Sequence, residues 1–219
     1  MMKYKNYIWD FDGTLFDSYP HICECLLKIL EREGIRENFD AEMVMRHLCV
    51  SYGAARDYTG ISAEAYRDFV QLQYVTGEDE VEPRVVPYPD CEKVLREIAA
   101  AGGRHYIYTH RNLTVAEHIE NFGMADLFLD RVTSEDKFPS KPAPNAIQAL
   151  MERNGLKPEE TIMIGDREID GKSGKNAGID GALVNYYPRL PDGTCPADIS
   201  EMDYTASSLT ELWEMLKNA

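Results

Sequence analysis

Two carboxylates one residue apart close the first apolar run of the chain: Tyr7-Ile8-Trp9 is followed at once by Asp10-Phe11-Asp12-Gly13-Thr14. Where a strand ends and the chain turns, neighbouring carboxylates can converge on one point. Held in the crevice beyond a strand's carboxyl end they repel each other. A hard cation bound by oxygens, Mg²⁺ foremost, offsets that repulsion. Gly13 permits a backbone conformation that a side chain would forbid, and a close main-chain approach to a ligand. The same string also suits a surface turn, because Asp and Gly are turn residues. Three downstream sites bear on the choice.

The second site is Tyr108-Thr109-His110-Arg111, at the end of an apolar stretch. A hydroxyl there can donate to a phosphoryl oxygen, assisted by backbone N–H groups of the turn. A threonine that merely finishes a strand, with His110 and Arg111 at the surface, is the alternative. The third is Ser140-Lys141-Pro142-Ala143-Pro144. Proline restricts the residue before it and so fixes where the lysine side chain starts. An ammonium aimed at a transferring phosphoryl group offsets its charge and the nucleophile's; a solvated loop lysine is the plainer reading. The fourth is Ile164-Gly165-Asp166-Arg167-Glu168-Ile169-Asp170. Two acids four apart can lie on neighbouring turns of a helix start. They read as a capping acid plus an exposed aspartate, or as a metal ligand (Asp166) with Asp170 orienting metal-bound water.

Asp10-Phe11-Asp12-Gly13-Thr14-Leu15 resembles the first motif of the haloacid dehalogenase-like superfamily. Thr109, the Lys141-Pro-x-Pro string and Gly165-Asp166-x-x-x-Asp170 resemble its other three motifs, in order and along the whole chain. Most members are Mg²⁺-dependent phosphatases. The resemblance implies phosphoryl transfer through an aspartyl-phosphate, with Asp10 as nucleophile, Asp12 as general acid and then base, Thr109 on the phosphate and Lys141 neutralising charge. It implies one Mg²⁺ held by Asp10, Asp12 (through its backbone carbonyl), Asp166 and, directly or through water, Asp170. Gly13, Thr14, Thr109, His110, Arg111, Lys141 and Arg56 form the expected phosphate- and substrate-binding set. Relatives often carry Asn where this chain has His110, which leaves that histidine's role open. Arg56 lies in a loop at roughly the place where relatives select substrates, and reads equally as an exposed helix arginine.

Within the superfamily the chain is similar to phosphoglycolate phosphatases, through Phe16-Asp17-Ser18 and the position of a helical insert. It shares all four motifs with β-phosphoglucomutase. Hydrolysis of a small phosphomonoester, phosphoglycolate-like or a sugar phosphate, is the expected activity. A phosphomutase that keeps water from the aspartyl-phosphate is the alternative. The intact Asp10, Asp12, Lys141 and Asp166 disfavour a binding protein without activity, and the same pattern disfavours a dehalogenase.

The elements that must position these groups follow from periodicity. Strands are expected at Tyr7–Trp9, His105–Thr109, Leu127–Val132, Thr161–Ile164 and Ala182–Val184. Helices are expected between them, around Val94–Ala99 with Asp90 as cap, then over Thr114–Phe122, Asn145–Asn154 and Ile169–Ala177, with Leu209–Leu216 closing the chain. Strands alternating with helices indicate a doubly wound, Rossmann-like parallel sheet, with ligands beyond the strands' carboxyl ends. From Asp17 to about Arg84 the pattern is helical only, in four stretches followed by the acidic segment 77–84, which reads as a connector. The expected architecture is thus an α/β core over 1–16 and 85–219 with an inserted all-helical cap over 17–84. By the resemblance, the cap closes over the site and excludes water.

Composition limits the partners. The 219 residues carry 38 acidic against 23 basic side chains, a net charge of −15. Such a surface repels nucleic acid and anionic membranes, both bound chiefly through Lys and Arg. It leaves a small phosphorylated metabolite open, given a metal and a local lysine. Cys23, Cys25, Cys49, Cys91 and Cys195 form no C-x-x-C pair, and suit buried thiols in a reducing cytosol. No stretch approaches the roughly 20 residues that span a bilayer. A soluble, cytoplasmic protein is expected; its oligomeric state is not readable.

Overall fold

The computed structural model describes residues 2–74, 85–186, 200 and 202–219. The described residues divide into two compact units, one holding 2–16, 87–186 and the chain from 200 onward, the other 17–74 and 85–86.

The first unit is built on a six-stranded sheet of β1 (Asn6–Trp9), β4 (Arg104–Tyr108), β5 (Phe128–Val132), β6 (Thr161–Gly165), β7 (Asp180–Val184) and β8 (Tyr204–Ala206). Their order is β5-β4-β1-β6-β7-β8, and every neighbouring pair is parallel. The central strands β1 and β6 are buried along their whole length, as continuous apolar runs covered on both faces must be. Helices α5 (Cys91–Ala100), α6 (Thr114–Asn121), α7 (Asn145–Asn154), α8 (Glu168–Asn176) and α9 (Leu209–Leu216) alternate with the strands. The chain runs from β1 to β4 to β5 on one side, then crosses back to β6 on the other. The direction therefore reverses at β1, and the crevice beyond the ends of β1, β4 and β6 is the expected place for a ligand in such a sheet.

A buried polar pair ties β1 to β4. Trp9 Nε1 donates to His105 Nδ1 at 3.0 Å, and the other ring nitrogen of His105 lies 2.9 Å from the Leu95 carbonyl. The accepting Nδ1 places the ring proton on Nε2, which donates to Leu95. Burial pushes the His105 pKa down to about 4, so the ring stays neutral and both bonds persist at neutral pH.

The second unit contains four helices, α1 (Tyr19–Arg32), α2 (Ala41–Val50), α3 (Tyr52–Thr59) and α4 (Ala63–Leu72). Three of them start on side-chain caps: Asp40 accepts from the Met43 N–H, Ser51 from Ala54 and Ser62 from Ala65. Pro20 stands in the first turn of α1, where its missing N–H costs nothing. Ile22, Leu26, Ile29 and Leu30 of α1 pack with Val44, Leu48, Ala55 and Phe69 in a core of their own. Cys23, Cys25 and Cys49 are buried in that core as free thiols. Burial pushes the Cys23 thiol up to about 11, which suits packing rather than reaction. Between residues 16 and 87 the chain adds two-residue strands β2 (Phe16–Asp17) and β3 (Val86–Pro87), which pair with each other.

Some details differ from the sequence reading. Strands β2, β3 and β8 were not expected; each is two or three residues long, and β8 is a partly polar edge strand. Asp90 precedes α5 but makes no side-chain cap bond there. Its Oδ2 accepts instead from the N–H and hydroxyl of Thr210, at 2.8 and 2.7 Å, and so anchors the start of α9. The connector 77–84 and Cys195 lie outside the described residues.

Candidate active site

Apart from Arg56, the candidate groups follow the carboxyl ends of strands of the first unit. Asp10 follows β1, and its N–H donates to Ile164 O of β6 at 2.8 Å. The turn after it is tight, for Phe11 O accepts from the N–H groups of Leu15 and Phe16 at 3.1 and 3.0 Å. Gly13 adopts a positive φ of 79° in this turn, a conformation that a side chain would strain. Its N–H donates to Phe16 O, so the turn itself consumes the donor of Gly13. Thr14 is fully buried, and its Oγ1 makes no hydrogen bond among the described residues.

Asp166 follows β6, and Asp170 lies one turn into α8. Oxygens of Asp10, Asp166 and Asp170 fall within 4.8 Å of one another. Lys141 enters from the loop between β5 and α7, after which its peptide to Pro142 is cis. Its side chain is 0% exposed, and Nζ sits 2.6 Å from Asp10 Oδ1 and 2.7 Å from Asp170 Oδ1. The Tyr108 ring lies beneath it, 4.6 Å from Nζ to the centroid, a favourable seat for a desolvated ammonium. Asp170 Oδ2 accepts the Arg167 N–H at 3.0 Å, so this acid also holds the start of α8.

Two acids share one ammonium, and the electrostatics divide them. Burial pushes the Asp10 carboxyl up to about 6; Lys141 pulls against this, and the neighbouring Asp170 adds to it. Asp170 is disfavoured as a charge by burial too, yet Lys141 and then Arg167 hold it below the usual carboxylate range. Burial works against the Lys141 charge as well, but the two acids outweigh it and hold the ammonium well above its ordinary pKa. Asp10 and Asp170 together outnumber the one ammonium between them. Three carboxylate oxygens within reach of one point form a hard donor set, which fits a hard divalent cation such as Mg²⁺.

The Asp12 carboxylate is held by Arg111. Arg111 Nε donates to both Asp12 oxygens at 3.1 Å, and Nη2 donates to Oδ1 at 2.6 Å. The Asp12 backbone carbonyl, assigned to the metal by resemblance, is a separate atom from the paired carboxylate. Thr109 is buried; its N–H donates to Val132 O and its Oγ1 accepts the Arg111 N–H at 3.0 Å. That bond uses an oxygen lone pair and leaves the O–H as a donor. His110 Nε2 accepts the Lys141 N–H at 3.2 Å, so the ring serves the lysine loop. Arg56 is an exposed residue of α3 that pairs with Asp57 at 2.9 Å and lies over the Tyr66 ring.

Sequence spacing did not reveal the fork between Arg111 and Asp12, the ring of Tyr108 under Lys141, or the crowding at Gly165. A Cβ on Gly165 would run into the Asp170 side chain. The only hint in the sequence is a glycine inside an apolar strand, which often marks a close approach. Gly165→Ala is therefore expected to displace Asp170 and lower turnover about 10²-fold, the scale of a 1 Å misplacement. Steady-state kinetics beside a circular dichroism spectrum checks this: equal turnover would show that Asp170 has room to move.

The fold and site together define a doubly wound α/β domain with an acid cluster at its topological switch point. Residues 7–184 match the family model described as haloacid dehalogenase-like hydrolase, and the chain belongs to that family. It is 28% identical to a phosphoglycolate phosphatase of Vibrio parahaemolyticus, over 95% of this chain and 94% of that one. It is 24% identical to the pyrophosphatase PpaX of Halalkalibacterium halodurans, over 98% of each. Among solved structures, a hydrolase from Streptococcus pneumoniae is 30% identical with a TM-score of 0.62, covering 84% of this chain and 94% of that one. A haloacid dehalogenase-like hydrolase from Bacteroides fragilis superposes with a TM-score of 0.80 at 25% identity, covering 96% and 100%. Among the described residues no helix is long and apolar enough to cross a membrane.

Proposed function

We propose that this hydrolase is a Mg²⁺-dependent phosphatase that cleaves a small phosphomonoester, phosphoglycolate-like or a sugar phosphate, through an aspartyl-phosphate. The observation that carries the reading is the cluster of Asp10, Asp166 and Asp170 within 4.8 Å, with Lys141 between the first and last. The relatives named phosphoglycolate phosphatase and pyrophosphatase support it. Asp10, Asp166 and Asp170 would hold the cation, with the Asp12 carbonyl as the resemblance suggests. When bound, Mg²⁺ offsets charge on the phosphoryl oxygens.

In the chain's own chemistry, an Asp10 oxygen forms a bond to phosphorus while the bond to the leaving oxygen breaks. Asp12 gives that oxygen a proton. Water then attacks phosphorus, Asp12 takes the water's proton, and Asp10 is released as a carboxylate. Lys141 holds Asp10 in place and balances its charge, and the Thr109 hydroxyl donates to a phosphoryl oxygen.

The test is a panel of 2-phosphoglycolate, glucose phosphates, glycerol phosphate, p-nitrophenyl phosphate and pyrophosphate, assayed with Mg²⁺ and with excess chelator. Release of free phosphate that chelator abolishes is expected. An isomeric phosphosugar in place of phosphate would indicate a mutase, and no turnover of any compound would refute the reading.

A further inference from the structure

Arg111 is buried against the Asp12 carboxylate. Its side chain is 2% exposed, while that of Asp12 is 23% exposed. Three bonds join the guanidinium to the one carboxylate, a forked arrangement that fixes the carboxylate's plane as well as its place. Arg111 is itself held on every side. Its N–H donates to Thr109 Oγ1, its carbonyl accepts the Ser134 N–H at 3.1 Å, and its guanidinium lies over the Phe11 ring at 5.3 Å. Phe11 in turn stacks on Phe16, with centroids 4.3 Å apart. The turn that carries Asp12 and the turn that carries Thr109 are thereby locked together, although the paired residues stand 99 positions apart.

We propose that Arg111 is a positioning residue: it orients the Asp12 carboxylate toward the leaving oxygen and so governs how well the enzyme handles poor leaving groups. This rests on the phosphatase reading, in which Asp12 moves the proton. A p-nitrophenolate leaves without needing a proton, whereas the alkoxide of glycerol phosphate needs one as its bond to phosphorus breaks. Correct aim of Asp12 therefore matters to loss of the alkyl leaving group and little to loss of the aryl one, while the later attack of water, which also needs Asp12, is common to both esters. A lysine at position 111 keeps the charge but lacks the planar fork.

The experiment measures kcat and KM of the full chain with Mg²⁺ on glycerol phosphate and p-nitrophenyl phosphate. In Arg111→Lys, kcat/KM on the alkyl ester, which covers the steps through loss of the leaving group, is expected to fall about 10²-fold, the low end of what general acid catalysis supplies. The kcat/KM for p-nitrophenyl phosphate should change far less, while kcat on both esters falls wherever attack of water on the aspartyl-phosphate limits it. Asp12→Asn should show the same selective loss of kcat/KM, and adding Arg111→Lys to it should cost nothing more, as expected of two groups acting as one. An equal loss of kcat/KM on both esters, or a further loss in the double variant, would overturn the proposal and make Arg111 a substrate contact or a structural residue. If Arg111→Lys does not fold by circular dichroism, Arg111→Gln is read the same way. Failure of the phosphatase reading is separately visible, as a wild type inactive on both esters, and it removes the proposal with it.

Discussion

Asp10→Asn is expected to lose all steady-state turnover and, in metal-free buffer at pH 8, to melt at a higher temperature than the wild type. The first effect follows if Asp10 is the atom that bonds to phosphorus, since an amide cannot form the acyl phosphate. The second follows from burial. The folded Asp10 carboxyl is pushed up to about 6, above the range it takes in an unfolded chain. A group raised in this way favours the folded state most below its unfolded pKa, and that contribution is lost as pH rises through about 6. Above that pH the wild type carries a buried negative charge against Asp170 that asparagine lacks. The expected gain is about 3 kcal/mol at pH 8, shrinking toward zero by pH 4. Calorimetry at both pH values measures it. Equal melting curves at pH 8, or a gain at pH 4 instead, would show that Asp10 is not the strained member of the cluster.

Lys141→Met is expected to have the larger structural cost. The lysine side chain is 0% exposed and faces Asp10 and Asp170 at 2.6 and 2.7 Å. Removing one partner of a buried ion pair leaves uncompensated charge, which costs about 3 to 5 kcal/mol. Two carboxylates are stranded here. Asp170 has a depressed pKa in the wild type, and contributes stability that is present at neutral pH and lost as pH falls through its folded value. Without Lys141 that contribution disappears, so the gap between variant and wild type should be widest near pH 8 and narrow in acid, as the acids take up protons. Added Mg²⁺ should raise the melting temperature of the variant more than that of the wild type, because a cation then does part of the ammonium's work. Turnover should fall even with saturating Mg²⁺. A Lys141→Met protein as stable as wild type at pH 8 would mean that the lysine lies in solvent.

The parts of the structure that sequence reading captured share one physical cause. β1, β4 and β6 sit in the middle of a parallel sheet, so their residues form apolar runs that end abruptly where the chain meets the crevice. Asp10, Thr109 and Asp166 stand at those ends, and the acids and the lysine are recognisable by type and spacing. What sequence reading did not capture depends on side-chain direction and on partners distant in the chain. The fork that pairs Asp12 with Arg111 joins residues 99 positions apart and leaves no mark in the local sequence. Asp90 was expected to cap the helix beside it, but a donor 120 positions later takes its oxygen. β8 escaped notice because a three-residue edge strand is stabilised by pairing with β7 and hardly by its own apolar pattern.

The central claim, that an Asp10 oxygen forms the bond to phosphorus, is tested most directly by acid-quenching the enzyme during turnover with Mg²⁺ and mapping covalent phosphate by peptide mass spectrometry. A phosphoryl group on the peptide carrying Asp10, absent from Asp10→Asn and from a Mg²⁺-free control, is the predicted result. Turnover with no covalent phosphate on the chain, or with phosphate on a residue other than Asp10, would contradict it.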